Sequence, residues 1–248
     1  MRTITALFVG LGSIGTRHLK NLTNLCADRG WTLQADALRS DLSRPLRDGV
    51  AALLHAQYTD LADAPAHYDM VFITNPTSLH ADALTRVRGR GGALFIEKPI
   101  FSADQTGLDL ADCLPAGQKA YVAAPMRWCG VMLALKDRLP GLHPYCARVI
   151  CSSYLPDWRP GVDYRTVYSA HKAMGGGVTI DLIHEWDYLV ELFGVPENAV
   201  QFQGHLLRPR NRLRRFVGVY RQIPHIAGRG ASRLLWPRIP AQHRAFLP

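Results

Sequence analysis

The sequence lacks long apolar runs and paired cysteines. No stretch of eighteen apolar residues occurs in its 248 residues, so we expect no membrane span. The five cysteines are scattered and none forms a C-x-x-C pair, which predicts reduced thiols, a cytoplasmic location and no metal site. No basic segment followed by an apolar one opens the chain, so we predict no signal peptide.

Acidic residues are absent from the end of the chain. Residues 205–248 hold 10 Arg, no Lys and no Asp or Glu, whereas residues 1–204 hold 14 Arg and 5 Lys against 20 acidic residues. The net charge of +9 therefore comes from this tail. Prolines at positions 209, 224, 237 and 240 disfavour long helices and central strands there. A basic segment of this kind can mark an arm for nucleic acid or acidic lipid.

Three glycines form a G-x-G-x-x-G motif between a predicted strand at 3–9 and a predicted helix at 14–26. In this context the motif predicts a dinucleotide-binding turn. Gly10 permits the tight turn, Gly12 lets a pyrophosphate approach the backbone, and Gly15 lets the helix pack closely on the strand. The free N–H groups at the helix start attract the phosphates. The alternative is an ordinary glycine-rich loop.

Apolar runs alternate with helical patterns over residues 1–122, which predicts βαβ units and a doubly wound parallel sheet. We predict strands at 3–9, 32–38, 70–74, 93–96 and 121–124, and a short segment at 61–64, within a six-stranded Rossmann domain. We predict helices at 14–26, 46–55, 78–87 and 103–114. The pattern changes over residues 123–204, where we predict helices at 131–139 and 178–193 and strands at 145–154 and 199–203.

Polar residues follow two of the predicted strands. Asn75, Pro76 and Lys98 lie at carboxyl ends of strands, where doubly wound sheets bind ligands. A lysine in such a crevice can have its pKa lowered by burial and can polarise a hydroxyl or carbonyl group. The alternative for Lys98 is a solvated lysine, and Pro76 is equally consistent with a plain strand terminator.

Asp181 and His184 are three residues apart in the predicted helix 178–193, so we expect them to share one face. A histidine can take a hydroxyl proton as hydride leaves the same carbon, because its pKa lies near neutrality. Asp181 or Asp187 could fix the orientation of its ring. The alternative is an amphipathic helix whose polar face carries these residues by chance.

These features together resemble the Gfo/Idh/MocA family of nicotinamide-dependent sugar oxidoreductases. The resemblance rests on the glycine turn, Thr74-Asn75-Pro76 with His80, Glu97-Lys98-Pro99, and the triglycine at 175–177 before Asp181 and His184, and it covers about residues 2–204. It implies a Rossmann domain at 1–122 and a partial α+β substrate domain at 123–204 with an open, mainly antiparallel sheet. Many relatives separate the last two catalytic positions by four residues rather than three, which leaves open whether Asp181 or Asp187 partners His184.

The resemblance also implies the site. Lys98, Asp181 and His184 would be catalytic, with His184 as acid/base and Lys98 polarising the reacting oxygen. The implied cofactor contacts come from the glycine turn and three strand ends: Gly10, Gly12, Ser13, Ile14, Gly15, Arg39, Ser40, Thr74, Asn75, Pro76, His80, Glu97 and Lys98. Family members form homo-oligomers, which we doubt for a chain of this length.

Cofactor choice depends on the end of the second strand. An acid there binds the ribose hydroxyls of NAD, whereas an arginine accommodates the NADP phosphate. Arg39 and Ser40 favour NADP slightly, and Asp41 leaves NAD as the alternative cofactor.

Substrate contacts are expected from a loop and a strand end. The candidate substrate contacts are Arg127, Trp158, Arg165 and His184. Because arginine binds carboxylate and phosphate in bidentate fashion, we expect an anionic sugar such as a sugar acid or nucleotide sugar. The alternative is that these arginines are solvated. We therefore predict hydride transfer between nicotinamide and a sugar carbon. The alternative function is dinucleotide binding by a protein without catalysis.

The matching pattern stops near residue 204, although family members continue well beyond it. We therefore interpret residues 205–248 as out-of-frame translation after a frameshift that truncates the second domain, and we expect low solubility and impaired activity. The competing interpretation is a genuine basic arm for nucleic acid or acidic lipid. Because we favour the frameshift, we expect nucleic acid not to be a partner.

Overall fold

The computed structural model describes residues 1–102, 104–142, 144, 146–151, 154–171, 176–196, 199–205 and 215–221. The chain divides into two units. The first comprises Met1–Met126 and Ser153–His184, and the second comprises Arg127–Ser152 and Glu185–Pro248.

The first unit is built on a six-stranded parallel sheet. Its strands are β1 (Thr3–Val9), β2 (Thr32–Leu38), β3 (Ala56–Tyr58), β4 (Tyr68–Ile73), β5 (Gly91–Ile96) and β6 (Lys119–Val122). Their order is β3-β2-β1-β4-β5-β6, and every neighbouring pair is parallel. The chain moves outward from β1 to β3 and then returns to β4, so the strand order reverses between β1 and β4. Ligands of doubly wound sheets bind at this switch point, and the predicted fold class is confirmed.

Helices cover both faces of this sheet. They are α1 (Ser13–Asp28), α2 (His80–Arg86) and the short α3 (Leu110–Cys113). Phe8 of β1 lies in one apolar cluster with Leu19 of α1, whereas Leu7 lies in a second cluster with Leu84 of α2. Burial on both faces explains why the central strands read as continuous apolar runs.

Two predicted helices of the first unit are wrong. Residues 46–55 form only a 3₁₀ turn at Ala51–Leu53, and the chain then enters β3, which the sequence analysis missed. In the range 103–114, only α3 is helical among the described residues. Gly49 and Gly107 adopt φ of +73° and +89°, a left-handed conformation that interrupts a right-handed helix. Asp109 then caps α3 by accepting a hydrogen bond from the N–H of Ala111.

The later residues form α4 (Gly130–Arg138), α5 (Val178–Asp181), α6 (Ile183–Phe193) and an antiparallel pair, β7 (Ala199–His205) with β8 (Arg215–Arg221). The predicted strand at 145–154 is wrong, because the described residues in that range are not paired with another strand. The predicted helix at 178–193 is interrupted at Leu182. β8 lies within the segment that the sequence analysis sets apart, and the boundaries 123–204 and 205–248 stay predictions.

No helix among the described residues has the length and apolar character needed to cross a membrane.

Candidate functional site

The glycine turn begins where β1 ends. Gly10 adopts φ of +89°, and its N–H donates to the carbonyl of Leu38 at 3.0 Å. A Cβ atom at this position would lie 2.9 Å from the Cα of Asn75. The loops after β1 and β4 therefore touch at the switch point, and glycine is required at position 10 both for its conformation and for this close approach.

Gly15 packs α1 directly onto the turn. A Cβ atom on Gly15 would lie 2.4 Å from the carbonyl oxygen of Gly10 and 2.7 Å from Oγ1 of Thr74. The Thr74 hydroxyl donates to that same carbonyl at 2.6 Å. This close packing of the helix on the strand explains why the third fixed position of the motif is a glycine here.

Gly12 faces open space. A Cβ atom there would meet no atom of the described residues within 4 Å. α1 begins at Ser13, which Ile14 follows. Its first turn has no acidic residue, and no side chain caps its N-terminus. The N–H groups at this helix start therefore remain for an anion, and the arrangement fits the phosphates of a dinucleotide. Nearby, Oδ1 of Asn75 is buried without a hydrogen-bond partner among the described residues.

His80 contacts the loop after β4 and the loop after β5. The residue is 1% exposed, its Nε2 lies 3.0 Å from the carbonyl of Asn75, and its Nδ1 lies 3.1 Å from the carbonyl of Ile100. Burial lowers the pKa of His80, while the surrounding carbonyl groups oppose that shift. Both ring nitrogens thus contact the backbone, which indicates a positioning role. Its predicted contact with the cofactor stays a prediction.

Glu97 at the end of β5 has a partner that the sequence analysis missed. Nε2 of His18, on α1, lies 2.6 Å from Oε1 of Glu97, and the other carboxylate oxygen accepts the N–H of Lys98 at 3.1 Å. The Lys98–Pro99 peptide bond is cis. His18 follows the glycine motif by three residues, but no local pattern marks it as the partner of a residue 79 positions away.

Lys98 and Asp181 are brought together in the first unit. Nζ of Lys98 donates to the backbone carbonyl of Asp181 at 3.0 Å. The Asp181 carboxylate accepts the Ser169 hydroxyl and the Gly177 N–H, each at 3.3 Å. Burial raises the pKa of Asp181, and the Gly177 N–H, the charge of Lys98 and the Ser169 hydroxyl counteract part of that shift.

The triglycine positions the turn that carries Ser169. A Cβ atom on Gly176 would lie 2.2 Å from the carbonyl oxygen of Tyr168, so only glycine fits there. The hydroxyl of Tyr168 lies 3.1 Å from Oγ1 of Thr77, which follows the loop after β4. Tyr168 and Ser169 therefore connect the switch-point loop to Asp181, and no sequence motif indicated either of them.

His184 is the second residue of α6 and is partly buried. The helix is interrupted at Leu182, so Asp181 and His184 do not lie on one continuous helix, contrary to the expectation from the sequence. Asp187, the alternative partner, forms a bidentate ion pair with Arg127 in the second unit, with its Oδ1 2.6 Å from Nη2.

The predicted substrate contacts have partners within the protein. Arg127 also binds Glu191 at 2.7 Å, so its guanidinium joins two carboxylates of α6. Arg165 is exposed and pairs with Asp163 at 2.9 Å. Trp158 ends a 3₁₀ turn at Leu155–Trp158 and is 41% exposed. Substrate binding by these residues stays a prediction.

Arg39 lies at the carboxyl end of β2, as predicted. Its Nη1 donates to Oε1 of Gln57 at 2.8 Å, and its Nη2 donates to the carbonyl of Arg44. The neighbouring Asp41 accepts hydrogen bonds from the N–H and hydroxyl of Ser43, which lower its pKa. Ser40 between them is exposed. The guanidinium is thereby oriented, whereas the carboxylate of Asp41 is engaged within its own loop.

The sheet order and the glycine turn define an NAD-binding Rossmann protein. Residues 4–122 match the Gfo/Idh/MocA family model, which is described as "Oxidoreductase family, NAD-binding Rossmann fold". The scyllo-inositol 2-dehydrogenase (NAD(+)) of Bacillus subtilis (strain 168) is 25% identical over 205 residues, which are 80% of this chain and 56% of that protein. The chain thus spans little more than half the length of that relative.

Solved structures show the same fold. The WlbA dehydrogenase from Bordetella pertussis, in complex with NADH and UDP-GlcNAcA, superposes with a TM-score of 0.63 at 17% identity, covering 84% of this chain and 62% of that one. The WlbA (WbpB) dehydrogenase from Thermus thermophilus, in complex with NAD and alpha-ketoglutarate, gives a TM-score of 0.55 at 22% identity, covering 80% and 65%.

Proposed function

We propose that this protein is an NAD(P)-dependent oxidoreductase that transfers hydride between nicotinamide and a carbon of a sugar or nucleotide sugar. The observation that carries the proposal is the placement of Lys98 at the carboxyl end of β5, with its ammonium group 3.0 Å from the Asp181 carbonyl. The family of residues 4–122 supports it, as does the likeness to scyllo-inositol 2-dehydrogenase. The fold is shared with a WlbA structure that holds UDP-GlcNAcA, which makes a nucleotide sugar acid the first substrate to test.

Each proposed role follows from the chemistry of the side chain. A bound nicotinamide dinucleotide accepts or supplies the hydride. The backbone at Gly12, Ser13 and Ile14 binds its phosphates. Lys98 donates a hydrogen bond to the reacting oxygen and polarises it, while His184 takes the hydroxyl proton as the C–H hydride leaves and returns it in reverse. Asp181 holds the ammonium group of Lys98 in place through its carbonyl.

The cofactor proposal is a preference for NADP over NAD. Arg39 carries a guanidinium held at the end of β2, where the 2′-phosphate of NADP binds in this fold. Asp41, which would bind the ribose hydroxyls of NAD, is hydrogen-bonded to Ser43 instead. Fluorescence titration should therefore give a lower Kd for NADPH than for NADH, and equal or reversed values would contradict the preference.

The activity is tested by turnover of UDP-GlcNAcA and scyllo-inositol with each nicotinamide. Lys98→Met should lower kcat by about 100-fold or more, the contribution of a positioned proton-donating group, with a much smaller change in the Kd for NADH. Lys119→Met is the matched control, since Lys119 is an exposed lysine on the neighbouring strand β6. Binding of the dinucleotide without turnover across a wider panel of anionic and neutral sugars would favour the non-catalytic alternative.

A further inference from the structure

His18 is held in a defined orientation on α1. Its ring meets the edge of Phe95 with centroids 4.8 Å apart and planes at 60°, and Phe72 lies beside it at 6.3 Å. Its side chain is 18% exposed and that of Glu97 is 12% exposed, so the contact between them is largely shielded from water. Nε2 is the ring nitrogen that lies 2.6 Å from the carboxylate.

The two carboxylate oxygens of Glu97 contact two different parts of the chain. Oε1 meets Nε2 of His18 at 2.6 Å, and Oε2 accepts the backbone N–H of Lys98 at 3.1 Å. The carboxylate therefore connects the helix that starts at the glycine turn with the residue whose ammonium group reaches Asp181. Removing His18 would free one oxygen and allow the carboxylate to rotate away from the Lys98 amide.

We propose that His18 is a positioning residue that acts through Glu97 to hold the Lys98 backbone, and thereby couples the dinucleotide-binding helix to the proposed catalytic lysine. The proposal deepens the proposed function and rests on it for its catalytic consequence. The structural consequence, a restrained Lys98 amide, is measurable in the full chain without any substrate.

The experiment compares hydrogen exchange of the Lys98 amide, followed by NMR, in four variants. His18→Ala should accelerate this exchange by about tenfold, which corresponds to about 1.4 kcal/mol, while the amides of β5 keep their wild-type rates. His18→Gln places its side-chain nitrogen near the position of Nε2 and should restore protection to within about threefold. His18→Asn places its nitrogen near Nδ1 and should behave as His18→Ala. His67→Gln alters an exposed histidine and is the matched control.

Kinetics provide the second measurement. In His18→Ala, kcat should fall by about tenfold with the Kd for NADH nearly unchanged, and His18→Gln should recover most of the loss. If His18→Ala fails to fold, His18→Leu replaces it, because leucine fills much of the ring volume but has no hydrogen-bonding group, and faster Lys98 exchange is again the expected result.

Wild-type exchange of the Lys98 amide in His18→Ala would overturn the proposal. Equal rescue by His18→Gln and His18→Asn would also overturn it. A wild-type chain that binds NADH but turns over no substrate would instead defeat the proposed function, and the exchange comparison would still decide the role of His18.

Discussion

A methyl group at position 15 tests how closely α1 packs on the glycine turn. The added Cβ would lie 2.4 Å from the Gly10 carbonyl and 2.7 Å from the Thr74 hydroxyl, which now donates to that carbonyl. Gly10 cannot retreat, because its own backbone approaches Asn75 so closely that a Cβ there would lie 2.9 Å from the Asn75 Cα. Gly15→Ala must therefore displace the helix or break the hydrogen bond of Thr74.

The magnitude follows from three contributions. Overpacking costs about 1–3 kcal/mol, and loss of the Thr74 hydrogen bond costs about 1 kcal/mol. The higher helix propensity of alanine offsets about 1 kcal/mol. The free energy of unfolding should therefore fall by about 1–3 kcal/mol, and for a chain of this size Tm should fall by roughly 3–10 °C.

Thermal unfolding followed by circular dichroism measures this change, and Gly12→Ala is the matched control. A Cβ at position 12 meets no described atom within 4 Å, so Tm should stay within about 2 °C of wild type. The same methyl group would obstruct the proposed approach of the pyrophosphate and should raise the Kd for NADH by about tenfold or more. Equal Tm losses in the two variants, or none in Gly15→Ala, would refute the packing argument. Wild-type NADH binding by Gly12→Ala would refute the proposed phosphate site.

Three further predictions concern charged groups. Arg39→Ala should raise the Kd for NADPH by about tenfold, the loss of a charge-assisted hydrogen bond, and should leave that for NADH nearly unchanged; equal losses in the two titrations would contradict it. Burial raises the pKa of folded Asp181, so its stabilising contribution is complete below the unfolded pKa of about 3.9 and is lost as pH rises through the folded value. Asp181→Asn should therefore raise Tm relative to wild type more at pH 8 than at pH 4, and a pH-independent difference would count against this. Arg127→Met removes the ion pairs with Asp187 and Glu191 and should lower stability by roughly 1 kcal/mol, with a smaller Tm loss in 1 M NaCl than in dilute buffer.

The central strands could be predicted from the sequence because burial on both faces makes them continuous apolar runs. β1 and β2 were predicted to the residue. β3 could not be predicted, since it has only three residues and lies at the sheet edge, where no apolar periodicity develops. The helix predicted at 46–55 is false because its apolar residues suit a helix, whereas Gly49 adopts a φ of +73° that interrupts a right-handed helix.

The sequence by itself determined which residues can do chemistry here: three glycines between a strand and a helix, a lysine after an apolar strand, and an aspartate after a triglycine. Only the tertiary structure decided which of them meet. Lys98 and Asp181 are 83 residues apart, His18 and Glu97 are 79 apart, and Arg127 and Asp187 are 60 apart. Local periodicity reports which face of an element is buried, whereas pairings over such separations depend on how the elements pack against one another.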